Sequence, residues 1–161
     1  MSHLDRYRRP KVVWHTKDFA HLVGLFDIPL VVTLEKPVAE KGSLPQEIGT
    51  FAKTFFDLTR EPQIRDHIAS LRRKQVIVAG CETDVCVLQS CLGLLSVGYE
   101  VYMVENLLFS ASDNVDAALA RMKAAGATFV TYKTLFYELA GSVDTEEKLE
   151  SAGPVTKDLP D

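Results

Sequence analysis

At 161 residues the chain is long enough for one domain with a sizeable core and too short for two. Its 47% hydrophobic and 25% charged residues exclude disorder over most of its length, and 18 Lys+Arg against 22 Asp+Glu, a formal charge of −4, offer no broad basic field for nucleic acid. No apolar run approaches the ~20 residues of a bilayer span, and the polar start Met1-Ser2-His3-Leu4-Asp5-Arg6 lacks the apolar stretch of a signal peptide, so a cytoplasmic protein with a small-molecule partner, no nucleic acid and no membrane is expected. Arg6, Arg8, Arg9 and Lys11 read as a solvated chain end. Three cysteines, an odd number without an export signal, read as free thiols.

Val12, Phe19, Leu22, Val23 and Phe26 recur at helical spacing, and Asp27-Ile28-Pro29 ends that helix ahead of the β-branched strand Leu30 to Thr33. Glu35 to Gly49 holds two prolines and two glycines without a period and reads as a surface loop, followed by a short segment from Phe51 to Phe56. Ile64 to Leu71 reads as a helix. Gln75 to Gly80 is a continuous apolar run closed by glycine, as in a strand buried on both faces. Cys86 to Val97 reads as a helix ended by Gly98, Tyr99 to Val104 as a strand, Asp113 to Ala125 as a helix ended by Gly126, Thr128 to Thr131 as a strand and Leu135 to Leu139 as a short helix. Strand-helix-strand units at this spacing predict a three-layer α-β-α fold around an open, mostly parallel, Rossmann-like sheet of about five strands, spanning residues 1–142 as one domain. Residues 143–161 read as an acidic, poorly ordered tail.

In such sheets ligands sit at the carboxyl ends of the strands, and there the chemistry concentrates. Gly80-Cys81-Glu82-Thr83-Asp84-Val85-Cys86-Val87 runs from a buried strand into a helix. Cys86 in the first helical turn feels the helix dipole, which favours thiolate, while turn N–H groups suit an oxyanion. A buried core thiol is the competing reading of Cys86, and core packing the ordinary one for Cys81 and Cys91. Five-residue spacing on a strand-turn-helix cannot bring three cysteines to one metal, so no metal and no other cofactor is expected.

The motif Gly80 to Ser90, then Gly98-Tyr99-Glu100-Val101, Ala118 to Met122 and Ala125-Gly126-Ala127, resembles the isochorismatase-like cysteine hydrolase superfamily, most nearly its isochorismatase domain-containing subgroup. Ile28 to Thr33 and Ala52 to Phe56 resemble that family's second strand and lysine segment, so the match covers roughly residues 12 to 142. The resemblance implies Cys86 as nucleophile and Lys53, otherwise an ordinary surface lysine, as the cation that lowers its pKa. It also implies Glu82 and Thr83 as the oxyanion turn, with a cis peptide between them, and a homo-oligomer. The family's third catalytic residue, an aspartate ending a first strand, has no counterpart here: forcing residues 11–19 onto that strand leaves no room for the helix before Ile28.

Other candidates are weaker. His67 beside Asp66 could pair with a cysteine in space but reads as an exposed helix face; Asp18 and Asp27 fall on or at the end of the first helix. Asp18 and His21, one helical turn apart, are a poor substitute for the metal signature of nicotinamidases, and Glu105-Asn106 stands where the family has aspartate-alanine, read as a loop-capping change. Two functions remain: a hydrolase in which a cysteine attacks a small amide or imide through a thioester, and an impaired family member that binds or oligomerises without catalysis.

Overall fold

The computed structural model describes residues 10–35 and 49–159. Helix α1 (Pro10–Leu25) is followed by strands β1 (Val31–Glu35) and β2 (Gly49–Lys53), a single 3-10 turn over Leu58–Arg60 and helix α2 (Pro62–Ser70). Strand β3 (Gln75–Cys81) leads through a π-helical turn (Thr83–Val87) into α3 (Leu88–Ser96). Then come β4 (Glu100–Phe109), α4 (Asp116–Ala124), β5 (Thr128–Val130), α5 (Tyr132–Ala140) and α6 (Val143–Ala152).

Helix α1 forms where its apolar period predicts it, burying Phe19, Leu22 and Val23. It stops because Asp27 turns left-handed at φ 51 and the Ile28 N–H closes back on the Val23 carbonyl at 2.9 Å, with Pro29 blocking continuation. A strand from Lys11 to Trp14 is thereby excluded.

The five described strands form two parallel sheets, β1-β2 and β3-β4-β5, and β1 does not pair with β3. In the larger sheet β4 is central and feeds both faces, as period-two alternation requires. Tyr102, Val104 and Leu107 pack with Phe19, Leu22 and Val23 of α1 and with Leu135 and Phe136 of α5. Val101 and Met103 pack with Leu88, Cys91 and Leu94 of α3 and with Ala118 and Met122 of α4. Helices on both faces of parallel strands make the three layers.

Two expectations change. Strand β4 continues past Val104 to Phe109, because its register against β3 shifts between Val78 and Gly80 and lets Gly80 and Cys81 pair with Leu108 and Phe109. Glu105-Asn106 is therefore inside a strand, and the Asn106 Oδ1 accepts the Tyr132 N–H at 2.9 Å at the start of α5. The tail is also ordered through residue 159. Ser142 caps α6, the Thr156 Oγ1 donates to Asp18 Oδ1 at 3.1 Å, and Leu149, Val155 and Leu159 pack on the α1 side of the core. Acidic composition disguised it: the Lys157 ammonium lies between Glu146 and Glu150, so part of the charge is paired.

Candidate functional site

The parallel register of β1 on β2 sets Glu35 opposite Lys53 at the carboxyl ends of both strands. Lys53, 4% exposed, donates from Nζ to Glu35 Oε1 at 2.8 Å and to the carbonyls of Phe55 and Phe56, each at 3.2 Å. The chain thus wraps its own ammonium. The Ser90 Oγ of α3 donates to the Phe56 carbonyl and accepts the Leu58 N–H, both at 3.1 Å, which fastens this turn to the cysteine helix.

At the end of β3, Gly80 takes φ +126, a conformation that only glycine adopts without strain, and the turn follows. The cis peptide of this turn joins Cys81 to Glu82, one bond earlier than expected; the motif located the turn without resolving which bond of it is cis. Thr83, buried, donates from Oγ1 to the Phe109 carbonyl at 2.9 Å, and Asp84 accepts from Ser110 and Ser112, so the end of β4 clamps the turn. Val85 and Val87 both donate N–H to the Glu82 carbonyl. Thr83 serves as an anchor, and the Glu82 N–H points at the Cys86 Sγ at 3.0 Å.

Cys86 is 8% exposed. Its Sγ lies 3.1 Å from the Cys81 carbonyl oxygen, which accepts the thiol proton. Burial, then the hydrogen bond and charge of Glu35, push this thiol up to about 11, against the downward pull of the Glu82 N–H and of Lys53. Desolvation of the charged form thus works against the thiolate-favouring environment expected of this turn and outweighs one ammonium that Glu35 already neutralises. Burial would also raise the Glu35 carboxyl, but hydrogen bonds from Lys53 and Cys86 hold it below the ordinary carboxylate value. Cys86 and Glu35 are therefore a thiol and a carboxylate.

Cys86, Lys53, Glu82 and Thr83 thus meet at one edge of the molecule. His67 does not join them: its ring packs on Phe51 with centroids 5.0 Å apart, near the opposite end of β2 from Lys53. Asp66 pairs with Arg65, and Asp18 receives Thr156 on its carboxylate and the Tyr132 hydroxyl on its carbonyl. Among the described residues no three His, Cys, Asp or Glu are grouped to hold a metal ion, and no helix is long and apolar enough to cross a membrane. Sequence reasoning missed Glu35. In sequence it reads as the first residue of the loop after Thr33, whereas the strand runs on to Glu35, and spacing does not say which strand lies beside it.

The isochorismatase domain matches residues 38–134. The secreted isochorismatase effector Isc1 of Phytophthora sojae is 30% identical over 154 residues, covering 88% of this chain and 72% of that protein. The MAR1 ribonuclease of Caenorhabditis elegans superposes with a TM-score of 0.76 at 24% identity, over 94% of this chain and 84% of that one. The YcaC gene product of Escherichia coli, described as an octameric hydrolase of unknown specificity, superposes with a TM-score of 0.75 at 21% identity, over 89% and 77%.

Proposed function

We propose that this chain, which belongs to the isochorismatase family, is a hydrolase in which Cys86 attacks the carbonyl carbon of a small amide or imide. What supports the reading is the meeting of a buried thiol, a buried ammonium and a backbone turn at the carboxyl ends of parallel strands. The Sγ–C bond forms, the carbonyl oxygen becomes an oxyanion beside the Glu82–Thr83 turn, the C–N bond breaks to leave a thioester, and water releases the acid. Lys53 compensates negative charge at the site; its ammonium also holds the Phe55–Phe56 turn in place.

The experiment uses p-nitrophenyl acetate as a small acyl donor, with rapid quenching, intact mass measurement and peptide mapping. One acetyl group on Cys86, absent in Cys86→Ala, is expected. Labelling of no cysteine, or equal labelling of Cys81, Cys86 and Cys91, overturns the reading in favour of a binding or oligomerising family member.

We also propose that the chain self-associates in the cytoplasm. Phe55 and Phe56 are 40% and 49% exposed beside the site, and the YcaC relative is described as octameric. Light scattering at micromolar concentration that gives 17.9 kDa overturns the association, and fractionation that finds the protein outside the cell, as the name of the Phytophthora relative has it, overturns the location.

A further inference from the structure

An ammonium has three protons to donate, and Lys53 places all three: one on Glu35 Oε1 at 2.8 Å and one each on the carbonyls of Phe55 and Phe56 at 3.2 Å. With its donors so used, Lys53 bears on Cys86 through charge, and that influence weakens with distance. Its effect on the thiol is therefore set by what holds the Phe55–Phe56 turn against the helix that carries Cys86. Ser90, buried and one helical turn beyond Cys86, makes that connection. The Phe56 carbonyl accepts from Lys53 Nζ and from Ser90 Oγ at once, and Ser90 Oγ in turn accepts the Leu58 N–H at 3.1 Å. Three residues further along α3, a Cβ at Gly93 would strike the Asp57 carboxylate, so the segment after Lys53 lies directly on the helix with no side chain between. Glu61, at the start of α2, holds the near end of the turn by accepting the Thr54 and Phe55 N–H groups on its Oε1.

We propose that Ser90 is a positioning residue of the site: its hydroxyl, which shares the Phe56 carbonyl with the Lys53 ammonium, fixes the place of that charge relative to Cys86. This rests on the reading of Cys86 as nucleophile and Lys53 as its cation. The role belongs to the hydroxyl rather than to packing. A methyl group at position 90 would keep the helix but leave the Leu58 N–H without its acceptor and the Phe56 carbonyl with Lys53 alone. A buried N–H that has lost its acceptor finds another or reaches water, so the turn shifts, and the two carbonyls that hold the ammonium shift with it. Cys91, the next residue along the helix, differs in kind: it is enclosed by apolar side chains and contributes packing.

Iodoacetamide reads the thiol without a substrate, and peptide mapping assigns the label to Cys86. At pH 8, Ser90→Ala is expected to slow alkylation of Cys86 about three- to tenfold, since each unit by which a thiol's pKa rises costs about tenfold in thiolate. Added to Lys53→Met, the same change is expected to alter the rate by less than about twofold, because the charge that Ser90 positions is gone. Cys91→Ala, a packing loss on the same helix, is expected to leave the Cys86 rate within about twofold of wild type. Ser90→Cys, close in size but a weaker donor, is expected to fall between wild type and Ser90→Ala and gives the same comparison with Lys53→Met where Ser90→Ala does not fold. A Cys86 rate in Ser90→Ala equal to or above that of wild type, equal slowing with and without Lys53, or equal slowing in Cys91→Ala overturns the assignment of Ser90. Failure of p-nitrophenyl acetate to acetylate Cys86 in the wild type, with the alkylation pattern intact, instead overturns the hydrolase reading and leaves the positioning of Lys53 by Ser90 standing.

Discussion

Cys86 and Cys91 stand five residues apart at the start and in the middle of one helical run, and the comparison separates burial from chemistry. Both thiols are buried and both are pushed up to about 11, chiefly by desolvation. Around Cys91 nothing but burial acts; it is fully enclosed by the apolar cluster of α3, α4 and β4. Around Cys86 stand a carboxylate from β1, an ammonium from β2 and a backbone N–H from the turn after β3. A raised thiol therefore does not distinguish packing from reactivity. What distinguishes them is whether charged groups stand about the sulfur, and those groups come from other parts of the chain.

The largest expected effect follows from replacing each cysteine in turn. Cys86→Ala should lower turnover of an acyl substrate about 10³-fold or more while leaving the urea midpoint close to wild type, whereas Cys91→Ala should leave turnover within about twofold. Equal losses in the two variants, measured by steady-state kinetics, would erase the distinction. Next, Lys53→Met removes the cation that offsets Glu35, so acyl transfer should fall about 10²-fold and iodoacetamide alkylation of Cys86 should slow while that of Cys91 is unaffected. Faster alkylation of Cys86 would contradict the charge argument.

The packing side is tested by stability. Cys91→Ala opens space in a fully enclosed cluster and should cost about 1–3 kcal/mol in urea unfolding. Gly93→Ala should cost a similar ~1–3 kcal/mol, because a Cβ at Gly93 meets the Asp57 carboxylate, which caps the Leu58–Arg60 turn by accepting the Thr59 N–H at 2.8 Å. The smallest effect is on pH dependence. Because the folded values of Cys86 and Cys91 lie near 11, above the ordinary 9.0, their contribution to stability is fully present below pH ~9 and declines as pH rises toward 11. A urea midpoint under reducing conditions that falls between pH 8.5 and 10.5 checks this, as does alkylation that climbs about tenfold per pH unit without a plateau below pH 9.

Much of the fold was readable because its signals are local. The period of Phe19, Leu22 and Val23, the stop at Asp27 to Pro29, the apolar run ending at Gly80 and the glycines after α3 and α4 each decide a few neighbouring residues. Strand β4 was read too short because its last residues join the sheet only through a shifted register with Gly80 and Cys81. The acidic end looked unstructured because its order depends on Asp18 and Tyr132, more than twenty residues away in either case.

The sequence by itself determined a three-layer α/β chain whose cysteine motif lies at a strand-turn-helix, since apolar period, turn glycines and motif spacing all act over a few residues. Only the tertiary structure decided that the thiol is protonated and that Glu35 is its neighbour. The first depends on how completely β1, β2 and the turn exclude water from the sulfur; the second on a parallel register that sets residue 35 against residue 53 and brings both to residue 86. Neither desolvation nor register leaves a local mark, because each is a sum over contacts between segments far apart in the chain.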